Sequence, residues 1–283
     1  MSTLENQSDT FDIGGDLTVH RLGFGAMRIT GEGVLGEPDD AGETKGVLRC
    51  AVDLGVDLID TADSYGPGTS ERLLREALHP YSGDLTIATK GGLLRTLDGD
   101  WLPHGDPDYL ENALQCSLDR LGVGSIDLYQ FHRPDPDTPF EESVHRLAEL
   151  RDRGLIRHVG LSNVSVEQLE AAREIVEIAT VQNRYNVAFR DHEDVLEACS
   201  DHGIGFIPWY PLGGGDLGEK SGALGEVAAN HDATRQQVAL AWLLSHADVI
   251  LPIPGTGNVE HLEANVAATR VDLADAEYRR LAA

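Results

Sequence analysis

The sequence predicts an α/β protein of the (β/α)8, or TIM, barrel class, with a short β-hairpin ahead of the barrel. Three observations carry that prediction. Short β-rich runs alternate with amphipathic helical patterns eight times, cap residues mark several boundaries, and the residues suited to proton transfer fall where strands end. At 283 residues the chain is long enough for one large barrel, so residues 1–283 are read as a single domain.

The hairpin comes first, with Phe11–Ile13 and Leu17–His20 on either side of the turn-forming pair Gly14 and Gly15. Barrel strands are expected at Leu22–Met27, Asp57–Ala62, Leu85–Lys90, Asp127–His132, Ile156–Ser162, Thr180–Tyr185, Gly203–Trp209 and Val249–Pro254. The helical patterns lie at Ala41–Leu54, Ser70–Leu78, Pro107–Leu121, Phe140–Arg153, Val166–Ile175, His192–Asp201, Thr234–Ser245 and Val259–Ala267. Asp106-Pro107 and Thr234 start helices, and Gly122 and Gly154 end them. No linker, low-complexity tract or domain-scale repeat interrupts the alternation.

Composition bounds the partners. Asp and Glu number 48 against 22 Lys and Arg, a formal net charge of −26, and the only lysines are Lys45, Lys90 and Lys220. Such a surface repels nucleic acid and anionic membranes. The acids are spread along the chain (Glu5, Asp39, Asp98, Glu141, Asp191, Glu263), which argues against a disordered acidic tail. Self-repulsion of this size is tolerable where salt screens it, since the Debye length falls to about 3 Å at 1 M, so a high-salt cytoplasm is expected. The N-terminus has no signal-like apolar run, and no apolar stretch approaches the roughly 20 residues of a membrane span, so the chain reads as soluble and cytoplasmic. Cys50, Cys116 and Cys199 lie in separate predicted helices without CxxC or CxxH spacing, which points to buried free thiols and no metal.

Asp60, Tyr65, Lys90 and His132 fall at or just after the ends of three successive strands. In a barrel of this class, catalytic groups project from those ends. A phenol is a poor acid at neutral pH, but an ammonium beside it stabilises the phenolate, and Lys90 supplies that charge to Tyr65. A buried ammonium needs a counter-ion, and Asp60 is the obvious one. His132 remains as a neutral donor that orients a substrate oxygen.

These residues sit in motifs that resemble a known family. The run Asp57-Leu-Ile-Asp-Thr-Ala-Asp-Ser-Tyr65-Gly, followed by Ser70-Glu-Arg-Leu-Leu-Arg-Glu-Ala-Leu78, closely resembles the signature of the aldo-keto reductases. Ile87-Ala-Thr-Lys90, Leu128-Tyr-Gln-Phe-His132, Ile156 to Asn163, Val181-Gln182-Asn-Arg-Tyr and Ile253-Pro-Gly-Thr256 extend the likeness, which covers roughly Leu22 to Asn265. The glycine run and the last helix look most like the pyridoxal-reductase-like bacterial branch. The resemblance implies an NAD(P)H-dependent reductase of aldehydes or ketones, with Tyr65 as acid and base in a tetrad with Asp60, Lys90 and His132. The branch suggests pyridoxal or a similar small aldehyde as substrate; separately, a monomer or weak homo-oligomer is expected. A cofactor-sensing subunit with slow chemistry is the alternative that the same resemblance allows.

The cofactor residues follow position by position from that likeness. Ser162, Asn163 and Gln182 match the partners of the nicotinamide carboxamide, and Trp209 stands where a stacking aromatic is usual. Leu212, Gly213 and Gly214 would let the backbone approach the pyrophosphate. The adenosine end departs from the pattern, because Gly255 and His261 stand where NADPH-specific members carry a lysine and an arginine. Thr256 and the following helix start remain to bind phosphate, and Asn265 matches an adenine contact. The resemblance implies NADPH, with NADH possible, and the departure at the adenosine end leaves the preference between them open. Arg28, Trp101 and Arg133 are the substrate-loop candidates.

Overall fold

In the computed structural model, residues 10–215 and 217–283 are described; Glu5 lies outside them. The hairpin is β1 (Thr10–Ile13) and β2 (Leu17–His20), paired antiparallel with Ile13 opposite Leu17. The chain continues through β3 (Phe24–Gly25), α1 (Ala41–Asp53), β4 (Leu58–Asp60), α2 (Thr69–Leu78) and β5 (Thr86–Gly91). A second small hairpin follows, β6 (Leu93–Arg95) and β7 (Trp101–Pro103), then α3 (Pro107–Leu121), β8 (Ile126–Phe131), α4 (Phe140–Asp152), β9 (Ile156–Ser162) and α5 (Val166–Arg173). The rest is β10 (Ile178–Gln182), α6 (Glu193–His202), β11 (Gly205–Phe206), α7 (Ser221–Asn230), α8 (Arg235–His246), α9 (Val259–Ala267) and α10 (Asp275–Ala282).

Seven strands form one parallel sheet in the order β11-β10-β9-β8-β5-β4-β3. The expected eighth strand, Val249–Pro254, is not a regular strand, yet its backbone closes the ring. Ile250 bridges Phe206 in parallel, and on the other side Gly23 N donates to Pro252 O at 3.0 Å and Gly25 N to Pro254 O at 3.5 Å. Two prolines explain the irregularity: Pro252 and Pro254 accept but have no N–H to donate, so a full ladder cannot form.

Inside the ring, Leu58, Ala88, Leu128, Ala179, Ile207, Leu251 and Ile253 pack together, and Ile13 and Val19 of the hairpin join that cluster. The N-terminal hairpin therefore packs into the barrel's inner core. Its turn takes φ of +59° at Gly14 and +80° at Gly15, and a Cβ on Gly14 would lie 2.1 Å from the His158 ring, so glycine is required there. The second, larger core fills the layer between the sheet and the outer helices.

The helix boundaries agree with the caps expected. Asp106 Oδ1 accepts from Asp108 N at 3.0 Å and Tyr109 N at 2.9 Å. Thr234 and Gln237 form a reciprocal capping box, and Gly122 ends α3 at φ +73°. The helices α7 and α10 and the hairpin β6–β7 are additions to the sequence reading. Two glycines weaken the helical pattern of α7, and α10 buries only Leu281 fully, so neither shows a strong apolar stripe. One expectation is corrected: only Cys199 is buried, Cys50 is partly so, and Cys116 is exposed because it faces outward on α3.

Candidate active site

The strand ends bring the four expected residues together. Asp60 ends β4, Lys90 lies in β5 beside it, Tyr65 follows β4 in a tight loop, and His132 comes directly after β8. Lys90 is fully buried. Its ammonium donates to Asp60 Oδ1 at 2.5 Å and to the Thr61 carbonyl at 2.8 Å, and lies 3.5 Å from the Tyr65 hydroxyl. Burial alone would lower the pKa of Lys90, but Asp60 and then Tyr65 carry it above the ordinary lysine value. It stays charged.

Tyr65 corrects the sign expected from sequence. Burial pushes its phenol above the usual 10, Asp60 and Asp63 push the same way, and the pull of Lys90 does not overcome them. His132 behaves as expected: burial first, then the charges of Lys90 and Arg133, hold it well below the usual imidazole range, so it is neutral. Its Nδ1 faces Ser64 Oγ at 3.4 Å, and its ring lies across Tyr65 with centroids 5.9 Å apart.

Gln130 is the residue that sequence reasoning passed over. Its side-chain nitrogen donates to Asp60 Oδ2 at 2.9 Å, and Gln182 donates to the same oxygen at 2.8 Å. Asp60 is thereby held by an ammonium on one oxygen and two amides on the other. The available signal was a polar residue inside the otherwise apolar run Leu128–Phe131, and the structure buries it fully.

The expected nicotinamide partners form one network. Ser162 Oγ donates to the Gln182 carbonyl at 2.8 Å, and Asn163 Nδ2 donates to Ser162 Oγ at 2.9 Å and to the His132 carbonyl at 3.0 Å. Asn163 Oδ1 accepts from the Trp209 indole at 3.1 Å, so that ring is anchored. Asn163 sits at φ +60°, a conformation that asparagine tolerates better than most side chains.

A cleft of about 740 Å³ opens beside Tyr65. Gln182, Trp209, Leu212, Gly214, Thr256, His261 and Asn265 line it, while Ser162 and Asn163 stand behind Gln182 and Trp209 rather than in its wall. Gly213, at φ +58°, belongs to the adjoining turn. Thr234 and Gln236 also line the cleft and carried no signal of that, because the start of α8 is brought there only by packing.

The three substrate candidates separate in space. Arg28 lines the cleft next to Gly255, where a Cβ would lie 3.7 Å from its Cγ, and it is the one lysine or arginine among the described lining residues. Trp101 stands perpendicular to Tyr65 with ring centres 6.4 Å apart. Arg133 is half-buried beside His132.

The class that this fold and site define is a carbonyl-reducing oxidoreductase on a parallel (β/α)8 barrel. Residues 21–283 match the model of the Aldo/keto reductase family, and the chain belongs to that family. An uncharacterised oxidoreductase of Schizosaccharomyces pombe is 46% identical over 98% of this chain and 90% of the relative. The pyridoxine 4-dehydrogenase of Escherichia coli is 44% identical over 95% of both chains. Among solved structures, a thermostable aldo-keto reductase in complex with epalrestat superposes at a TM-score of 0.87, with 34% identity over 96% of this chain and 98% of that one. An aldo/keto reductase from Klebsiella pneumoniae, solved with NADP and acetate, superposes at 0.84, with 26% identity over 97% of this chain and 94% of that one.

Proposed function

We propose that the chain reduces a small aldehyde, pyridoxal or a close analogue, to the alcohol, with NADPH as reductant and Tyr65 as proton donor. The observation that carries this reading is the buried array in which Asp60 holds Lys90, Lys90 reaches the Tyr65 hydroxyl, and Tyr65 faces the cleft. The name of the Escherichia coli relative supports the substrate. The Klebsiella structures with NADP and with NADPH support the cofactor.

The residues fit a dinucleotide. The cleft has the size of a cofactor site, offers amide and hydroxyl donors at Gln182, Thr256 and Asn265, and presents the flat indole of Trp209. Arg28, expected from sequence at the substrate, lies beside Gly255 and would give a cofactor phosphate the charge that the lysine usual at that position carries. When bound, NADPH supplies a hydride to the carbonyl carbon and leaves as NADP+. His132, neutral and with Nδ1 turned toward Ser64, has Nε2 left to orient the carbonyl oxygen. Tyr65 gives that oxygen its proton. Lys90 stabilises the phenolate that results, and Asp60 with its two amide donors keeps Lys90 charged and in place.

Tyr65→Phe tests the reading. It should lower kcat for pyridoxal roughly 10²–10⁴-fold while leaving the NADPH dissociation constant within about twofold. Near-parental turnover would remove Tyr65 as donor. Tight NADPH binding by the parent with negligible turnover of pyridoxal, methylglyoxal and benzaldehyde alike would favour the cofactor-sensing alternative.

A further inference from the structure

Arg95 lies at the end of β6, outside the tetrad and the cleft lining, and its side chain is committed in three directions. Nη1 donates to the Val34 carbonyl at 2.9 Å, and Nη2 donates to the carbonyls of Gly33 at 2.8 Å and Gly99 at 3.0 Å. Its guanidinium carbon also sits 3.7 Å from the centre of the Trp101 ring, on the partner strand of the same hairpin. One cation therefore joins the loop after β3, the tip of the β6–β7 hairpin and an aromatic ring.

The segment it holds is under strain and touches the tyrosine loop. Val34, a β-branched residue, sits at φ +61°, a region such residues rarely enter. The Val34 carbonyl accepts a second hydrogen bond, from the amide of Gly66 at 3.1 Å, and Gly66 directly follows Tyr65. Trp101 in turn stands perpendicular to Tyr65 and remains partly exposed. The loop after β3, Trp101 and the Tyr65 turn are thus one connected wall with Arg95 at its centre.

We infer that Arg95 is a positioning residue that fixes Trp101 as a flat wall beside Tyr65, selecting planar aromatic or heteroaromatic aldehydes over small aliphatic ones. The inference rests on the carbonyl-reductase reading above and adds the substrate class to it. An indole held from one side by a stacked guanidinium loses little further freedom when a planar ring packs against it, whereas an aliphatic aldehyde gains nothing from that surface. Arg95 makes no contact with the reacting atoms on this account. Its effect falls on substrate selection and KM, not on the proton-transfer step.

The test compares Arg95→Met with Trp101→Leu, using pyridoxal and methylglyoxal as substrates. Both variants should lower the ratio of kcat/KM for pyridoxal over methylglyoxal by roughly tenfold, mainly through a higher pyridoxal KM, the scale of one lost aromatic pair. The NADPH dissociation constant, read by fluorescence, reports whether the barrel is intact. An unchanged ratio in either variant overturns the inference, and so does an equal loss for both substrates with weakened NADPH binding, which would make Arg95 a general structural tie. Equilibrium dialysis of pyridoxine reads the same wall without turnover. A parent chain that binds pyridoxine, and binds it more weakly after either substitution, but reduces neither aldehyde would defeat the reductase reading while keeping Arg95 and Trp101 as a wall for planar rings.

Discussion

At Tyr65 two effects compete, and their sizes decide the pH behaviour. An ammonium 3.5 Å away favours the phenolate, but removing the phenol from water disfavours it more, so its pKa lies above 10. On the mechanism proposed above Tyr65 must be protonated for reduction, and a raised pKa keeps it so across neutral pH. Asp63 reinforces this: burial and then the neighbouring Glu71 push its carboxyl up to about 8, and above that pH its charge would raise Tyr65 further. His132 is neutral well below 6.5 and so adds no acidic limb. The expected profile for kcat of reduction is flat from about pH 6 to 9 and falls only above about 10, while oxidation of the alcohol, which needs the phenolate, climbs with pH over that range. Stopped-flow or steady-state profiles in both directions check it. A reduction rate already halved at pH 8 would show that the phenol ionises far more easily than its burial implies.

At the scale of elements, the helices are set by local chemistry that single substitutions can probe. Asp106 caps α3 with two backbone contacts and stands at the start of the helix that carries Tyr109 and Arg120. Asp106→Ala should cost about 1 kcal/mol, which for a barrel of this size lowers the melting temperature by roughly 2 °C. Calorimetry reads this directly, and an unchanged midpoint would mean that packing, not the cap, fixes the helix start. The strand next to the ring closure obeys a different rule. Pro252 and Pro254 remove donors from the eighth strand position, so closure relies on carbonyls that accept from Gly23 and Gly25. In the loop after β3, the left-handed Val34 costs on the order of 1–3 kcal/mol and persists because Arg95 and Gly66 both bind its carbonyl.

At the scale of the whole molecule, charge dominates. The formal net charge of −26 is only locally relieved by ion pairs such as Arg146 and Arg153 with Glu111, Lys45 with Glu76 and Arg72 with Glu37, which are partly or fully exposed and individually weak. No described helix is long and apolar enough to cross a membrane. Self-repulsion of this size should be relieved by salt. The melting temperature is expected to rise steeply as KCl goes from dilute to about 1 M, where the Debye length is about 3 Å. A midpoint that stays level over that range would remove the argument for a high-salt setting.

Residues near one another in sequence made much of this protein legible before folding. The alternation of runs, the capping residues Asp106 and Thr234 and the ordered motifs around Asp60, Tyr65, Lys90 and His132 specify the barrel and its family, because propensity, capping and strand-end placement are local properties. What depends on partners far apart in the chain was not legible. Gln130 and Gln182 meet on Asp60 from positions 70 and 122 residues away, Arg95 reaches back 61 residues to Val34, and Thr234 and Gln236 arrive at the cleft through packing alone. The sign of the Tyr65 shift belongs to the same group. Sequence identifies the ammonium that would lower the pKa, but only the folded chain determines how completely water is removed from the phenol, and desolvation is the larger effect.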